Sequence, residues 1–442
     1  MERAKLIVKN FGPLKDIEIE VREMVTFIGA QASGKSTLAK LISILEDEEF
    51  RSNHNSDFKS ELQKYNILSY LNQKTYIKYD VLNIKISNFS FEYSNNNYLK
   101  NSIQELLSVS KKQKLSENNI TEATETLKQL ITSYINLHHL IFREEFYEIF
   151  SDKLQKVKFE IQFAEKRIKR LEINTSDIDL LIEISEKEKT LENYFYLLNQ
   201  IVNCFPNIFL FDSIYIPSER SFLHLIAENV LGLINNNVQI PKYLLSIGQE
   251  YEKAIQTIKE LPLTIIDKKV KYKREGKTSY IYHNETEKVD LLESASGLQS
   301  VIPILLLVVY SKTLKEEYNF NFVVEEPELN LYPKAQHELI KYLVKNCLFE
   351  RKNLILTTHS PFVLASINNL LLAFDKGKTK PTEVNKIIKK ESWLNPKNFI
   401  AYELKNGKAK KIMDDKLGQI KENMIDGVSD TFSDEFDKLL DV

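Results

Sequence analysis

The sequence predicts an α/β fold, and three observations carry that prediction. A strand-like run, Met24 to Ile28, leads through a glycine-bearing loop into residues at helical spacing. Two further short apolar runs, Phe320 to Val324 and Leu354 to Leu356, end abruptly in polar or charged residues, as buried strands do at a sheet edge that carries chemistry. Segments 5–8, 17–21 and 74–94 alternate apolar and polar side chains, which predicts an antiparallel layer beside the buried core.

The first element is the most informative. Lys5 to Val8 and Ile17 to Val21 read as strands joined by a Gly12-Pro13 turn, and the strand Met24 to Ile28 runs straight into Gly29. From there Gly29, Ala30, Gln31, Ala32, Ser33, Gly34, Lys35 and Ser36 satisfy G-x-x-x-x-G-K-[ST]; Thr37 supports the helix start, and Leu38, Ala39, Leu41 and Ile42 follow at helical spacing. Glycines let backbone N–H groups close around phosphates, Lys35 reaches the β and γ oxygens, and Ser36 offers a hydroxyl to Mg²⁺. The loop therefore predicts an ATP site with Mg²⁺, in which Lys35 faces solvent when no ligand is bound.

The second run ends in Glu325, Glu326 and then Glu328. Carboxylates at the end of a buried strand are costly unless chemistry requires them. In P-loop enzymes the first such group orients Mg²⁺ through its water shell and the second polarises the attacking water, which assigns Glu325 to the metal and Glu326 to catalysis. A solvated acidic turn is the plain alternative. The third run ends in Thr357, Thr358 and His359; a neutral imidazole there can bond a γ-phosphate oxygen. Between these motifs, Ser296 and Gly297 open a long apolar helix, either as an anion site at its positive end or as an ordinary helix cap.

Bulk properties narrow the class. With 442 residues, 43% hydrophobic and 10% aromatic, the chain can bury a full core in two or three structural units. Its 60 Lys and Arg nearly cancel 62 Asp and Glu, so any contact with nucleic acid must be a local patch. Cys204 and Cys347 are far apart, which predicts neither a disulfide framework nor a zinc site. The first ten residues do not read as a signal peptide, and the longest apolar run, Val301 to Tyr310, is too short to span a bilayer. The expected compartment is the cytoplasm, with no membrane partner.

Taken in order, these residues resemble the ABC-type ATPase heads of the SMC and DNA-repair class, and most closely the OLD-like family of AAA ATPases of bacterial phage-defence operons. The resemblance rests on "KNFGPLKDIEIEV", the P-loop, "YIPSER" at 215–220, "SASGLQS" at 294–300, "VVEEPELNLYP" at 323–333 and "TTHSPFVL" at 357–364. It implies that Ser296 and Gly297 form a signature motif, that His359 is a switch histidine, and that Asn330 neighbours a dimer-facing loop. Leu298 replaces the second signature glycine of transporters, and Glu325 the usual Asp; Gln73 is the candidate for the Q-loop. The resemblance further implies ATP hydrolysis by head-to-tail dimers assembled into a homo-oligomer, acting as sensor or scaffold in a system such as Septu or PARIS; the alternatives are a repair or nucleic-acid-processing ATPase acting directly on DNA, and an ATP-gated scaffold with little hydrolysis. Because no TOPRIM domain is expected in this chain, its nuclease effector, of HNH or TOPRIM type, would be a separate protein.

The expected organisation is an ABC-type P-loop NTPase head with an antiparallel β subdomain and an inserted, mostly helical α+β lobe. Its parts are residues 1–98 (P-loop and β subdomain), 99–200 (lobe), 201–374 (signature, acidic motif and switch) and 375–442 (a hairpin and helix extension). Leu127, Leu130, Ile131, Tyr134 and Ile135 share one helical face, and "VKFEIQF" at 157–163 breaks any long coiled coil. His138 and His139, adjacent on a helix, are expected to be structural. The run Lys166 to Arg170 and a hairpin at 267–283 turning near Gly276 concentrate basic charge; either could touch nucleic acid, although such runs more often form solvated faces.

Overall fold

The computed structural model describes residues 4–47, 50, 58–79, 84–87, 90–93, 211–227, 238–314, 319–348 and 353–440. Nearly all belong to one compact unit comprising residues 4–79, 85–91 and 211–442. The expected lobe at 99–200, with its paired histidines and basic run, lies outside the described residues.

The chain opens as the alternation predicts. Strands β1 (Ala4–Phe11) and β2 (Leu14–Val21) form an antiparallel hairpin, registered from Ala4 opposite Val21 to Phe11 opposite Leu14. Gly12 makes the turn at a φ of 51°, where a Cβ would stand 2.4 Å from the Tyr70 ring. Strand β4 (Tyr76–Tyr79) pairs antiparallel with β1, and β5 (Ile84–Ser87) and β6 (Ser90–Tyr93) extend that flank.

The core is parallel. Strands β3 (Met24–Gly29), β7 (Phe211–Ile216), β12 (Asn319–Glu325), β13 (Asn353–Thr358) and β14 (Phe399–Lys405) lie in the order β14-β3-β13-β12-β7. All four pairings are parallel. Every residue of β3 is buried, as expected for a strand covered on both faces. Helix α1 (Lys35–Leu45) leaves β3 through the P-loop and buries Leu38, Ala39, Leu41, Ile42, Ile44 and Leu45 against this sheet. The short α2 (Phe58–Lys64) packs on α1, and α3 (Lys242–Thr257) packs on α4 (Ser296–Ser311). Helices α5 (Pro333–Cys347) and α6 (Pro361–Gly377) pack together beside the sheet, with α7 (Pro381–Ile387) against α6. A separate antiparallel sheet, β8 (Glu260–Pro262) to β11 (Lys288–Asp290), contains the hairpin β9 (Lys271–Glu275) and β10 (Thr278–Tyr282), which turns at Gly276.

The reading of 375–442 as an extension needs correction. The hairpin at Asn406-Gly407 is β14 with β15 (Lys408–Lys411), and the pair joins β3 to β2, bridging the parallel core and the antiparallel flank. The physical reason is visible in "FIAYEL": Phe399, Ile400, Ala401, Tyr402 and Leu404 are all buried, which suits a central strand and not a surface hairpin. Arg22 fastens the entry by donating to the carbonyls of Phe399 (2.8 Å) and Pro396 (3.1 Å). By contrast α8 (Asp426–Leu440) exposes its apolar stripe of Val428, Phe432, Phe436, Leu439 and Leu440.

This topology predicts unequal truncations. Phe399, Ile400, Tyr402 and Leu404 each contribute about 2 kcal/mol of burial, so losing them removes an amount comparable with the net stability of an ordinary domain. A chain ending at residue 397 should show no cooperative thermal transition by circular dichroism. A chain ending at residue 425 should melt within about 3 °C of the full chain, since the helix it lacks is exposed.

Candidate functional site

Register assembles the site. Thr358 of β13 lies opposite Ile28 of β3, and Thr357 lies opposite Glu325 of β12, so the three strands reach the same carboxyl edge together. The P-loop, nearly three hundred residues away in sequence, and the acidic motif and His359 all begin there.

The loop has the backbone its glycines imply. Gly34 adopts a φ of 98° at the head of α1, and a Cβ there would meet Leu14 at 2.7 Å. A Cβ on Gly29 would come within 2.5 Å of the Leu404 carbonyl, so the inserted strand β14 also enforces this glycine. Helix α1 carries no acidic residue in its first turn and no side-chain cap, leaving its positive end to an anion. Ala30, Gln31, Ala32 and Ser36 are exposed around that opening, whereas Thr37 turns inward.

Lys35 does not face solvent as expected. It is 5% exposed and donates to the carbonyls of Gly29 (2.9 Å) and Ala30 (3.0 Å). Burial lowers its pKa, and Glu326, Glu325 and Glu328 oppose that shift. Its ammonium thus rests on the loop's own carbonyls, inside the field of the three carboxylates.

The carboxylates differ in surroundings. Glu325 is 3% exposed; burial raises its pKa, while Lys40 and the nearby Ser36 and Tyr215 hydroxyls favour its ionised form. Even so, Glu325 Oε1 and the Tyr215 hydroxyl are buried without a hydrogen bond of good geometry, as are Ser33 Oγ and Glu328 Oε2. Buried acceptors left open beside a serine hydroxyl fit a hydrated divalent cation and a phosphate chain. Among the described residues no group of three or more His, Cys, Asp or Glu could hold a metal ion.

Glu326 sits at a φ of 42°, in the left-handed region that a branched or long side chain seldom adopts. Its N–H donates to Thr357 O at 2.9 Å, and its Oε1 lies 3.3 Å from His359 Nε2. Burial and then Lys35 lower the His359 pKa, opposed by Glu326, so the imidazole is neutral at ordinary pH. Glu328 bonds the Thr358–His359 segment instead. Its Oε1 accepts from Thr358 Oγ1 (2.7 Å) and from the His359 N–H (2.8 Å), which fixes that segment in place.

Ser296 and Gly297 have other surroundings. Ser296 is exposed and is the first residue of α4, with Ala295 at the cap position and no side-chain cap bond. The helix-cap alternative is therefore wrong. Gly297 is required by a close approach, since a Cβ would stand 2.5 Å from the Asn330 carbonyl, and Asn330 itself has a φ of 59°.

Arg220, inside "YIPSER", receives no role from sequence reasoning, yet it is fully buried and bonds four carbonyls. It reaches Ser300 from Nε (2.8 Å), Pro217 (3.2 Å) and Glu325 (2.7 Å) from Nη1, and Glu326 (2.8 Å) from Nη2. Burial lowers its pKa to about 10, opposed by Glu328, Glu326, Glu325 and Glu219, so it stays charged. In the basic hairpin Lys271 pairs with Glu260 and Lys273 with Glu275, which also holds Lys288 of β11, whereas Lys268, Lys269 and Lys277 are exposed.

Beside Arg220, His224 donates from Nε2 to the Gln299 carbonyl (2.8 Å), and its Nδ1 shares a hydrogen bond with the Tyr251 hydroxyl (2.7 Å), which the neutral ring accepts. Burial lowers its pKa to about 4. The unfolded chain, with an ordinary imidazole, binds this proton first, so the contribution of His224 is intact above about pH 6.5 and falls as pH drops toward 4. The difference in unfolding free energy between wild type and His224→Gln should shrink by up to about 3 kcal/mol over that window, measured by urea titration at several pH values. A pH-independent difference would contradict the buried neutral ring.

Comparison with known proteins gives one family match: residues 1–364 match the AAA ATPase domain family. No curated protein matches the chain. Similar solved structures include an Smc head domain with an extended coiled coil from Pyrococcus furiosus, bound to the C-terminal domain of ScpA. It is 11% identical, with 92% of this chain and 95% of that chain covered and a TM-score of 0.32. The SMC head domain from Thermotoga maritima is 10% identical over 93% of this chain and 98% of that chain, with a TM-score of 0.34. An ATP-binding cassette of an ABC transporter in its ADP conformation is 11% identical over 95% and 93%, with a TM-score of 0.33. With its P-loop, paired carboxylates and histidine gathered at one sheet edge, and most of its length matched, the chain belongs to the AAA ATPase domain family.

Proposed function

We propose that this chain binds ATP with Mg²⁺ at Gly29–Thr37 and hydrolyses it as an ABC-type head that closes head to tail with a second copy. The observation that carries this reading is the convergence of Lys35, Ser36, Glu325, Glu326 and His359 at the ends of β3, β12 and β13, with Glu326 and His359 3.3 Å apart. Lys35 exchanges its loop carbonyls for the β and γ oxygens. Ser36 and Glu325 hold the cation, which when bound withdraws charge from the phosphates. Glu326 accepts a proton from the attacking water, and neutral His359 bonds the γ-phosphate.

Ser296 and Gly297, at the uncapped positive end of α4, serve the nucleotide of the partner copy, so that ATP joins two subunits and hydrolysis releases them. A homo-oligomer follows from such dimers. The sequence resemblance supports a further role, that of sensor or scaffold in a bacterial anti-phage system controlling a separate HNH or TOPRIM nuclease.

ATP turnover and fluorescent-nucleotide binding test the assignment. Lys35→Ala should abolish tight binding in a folded protein. Glu326→Gln should bind ATP within about threefold of wild type yet hydrolyse it about a hundredfold more slowly, because an amide cannot take the proton. Wild-type turnover by Glu326→Gln would move the catalytic role to another carboxylate.

Ser296→Arg should bind nucleotide and fail to hydrolyse it. After verified subunit exchange, a mixture of Ser296→Arg with Lys35→Ala should regain about one working site per heterodimer. Full turnover by Ser296→Arg alone would leave no shared site.

A further inference from the structure

Arg220 stands out among the buried charged groups because its bonds go to the main chain on both sides of a strained residue. Nη1 holds the Glu325 carbonyl and Nη2 the Glu326 carbonyl, and Glu326 occupies a φ of 42°. The Glu326 N–H donates to the Thr357 carbonyl (2.9 Å) and hydroxyl (3.2 Å), and the Leu329 N–H shares the Glu326 carbonyl. A left-handed non-glycine conformation persists only where its surroundings determine it from several directions. Here the guanidinium grips the two peptide planes that flank Glu326 and so sets where its carboxylate points, toward His359. Nε of the same planar group bonds Ser300 O in α4, the helix that Ser296 opens.

Resting on the ATPase reading above, we infer that Arg220 is a positioning residue for hydrolysis: it holds Glu326 in its catalytic orientation and ties that orientation to helix α4. Only a planar fork can satisfy these carbonyls together. A lysine keeps the charge but presents its donors from a single point, so it cannot hold both flanking planes and Ser300 at once. Displacement of a catalytic group by about 1 Å is enough to cost on the order of a hundredfold in rate.

The test is a double-mutant cycle in the full chain, using Arg220→Lys, Glu326→Gln and their combination, with ATP turnover, fluorescent-ATP affinity and thermal melting measured on each. Arg220→Lys should lower kcat about thirtyfold with KM and nucleotide affinity within about threefold of wild type. In the Glu326→Gln background the lysine should cost little more, because the carboxylate it misplaces is already gone. A general structural role would instead multiply the two losses, or raise KM and lower kcat together, and either result overturns the inference.

Arg220→Gln provides a second variant in which no charge is buried, and the same non-additivity is expected of it. Failure of both variants to fold would make Arg220 a structural residue only. If wild type turns over ATP and Arg220→Lys equals it, the role of Arg220 alone falls. If wild type neither binds nor turns over ATP, the ATPase reading falls and takes this role with it.

Discussion

A guanidinium sealed from water and bonded to four carbonyls is the constraint on which the rest of this site depends. Burying a charge without compensation costs several kcal/mol, so Arg220 is tolerated only because its donors are filled and Glu328, Glu326, Glu325 and Glu219 lie close enough to offset the charge. Three of those acids, Glu325, Glu326 and Glu328, are themselves buried or partly buried at a strand end. Each sign stabilises the other, and the cluster stands or falls as a unit. Removing the guanidinium would leave three main-chain segments, at the ends of β7 and β12 and in α4, without the donor that joins them.

The same balance explains the posture of Lys35. A lysine ammonium is ordinarily best placed in water, yet here it folds back onto the Gly29 and Ala30 carbonyls near the three carboxylates. The ammonium is thereby held within the loop by the loop's own carbonyls. Glu325 and Glu328 each keep one buried oxygen without a hydrogen bond, while Glu328 directs its other oxygen to the Thr358 hydroxyl and the His359 N–H. Three neighbouring acids thus divide into one buried with an open oxygen, one whose carboxylate lies beside His359 and one that bonds Thr358 and the His359 N–H.

Much of the fold is legible in residue patterns. The period-2 segments form the β1–β2 hairpin and β4, the apolar runs form parallel strands, and the P-loop lies between β3 and α1 as its spacing requires. Strand β14 escapes such reading because a hairpin turn at Asn406-Gly407 is a local signal, whereas the partner β3 lies nearly four hundred residues away. The continuous apolar character of "FIAYEL" is the available clue. Arg220 escapes for a similar reason, since an arginine beside a glutamate in "SER" reads as surface charge until the carbonyls that surround it are known.

The sequence by itself determined the chemistry: a loop whose glycines and lysine suit phosphate, two strand-end acids, and a histidine in the right order, because these depend on residue type and short spacing. Tertiary structure alone decided how they meet. Parallel register set Glu325 opposite Thr357 and Thr358 opposite Ile28, and so brought the three strand ends to one edge. Packing decided that Lys35 turns inward and that Gly297 answers a close approach by Asn330, and the main chain put Ala295, not Ser296, at the position before α4, with no side-chain cap. The reason is common to all of them: hydrogen-bond partners and solvent exposure belong to segments far apart in the chain, and no local pattern records which of them will be neighbours.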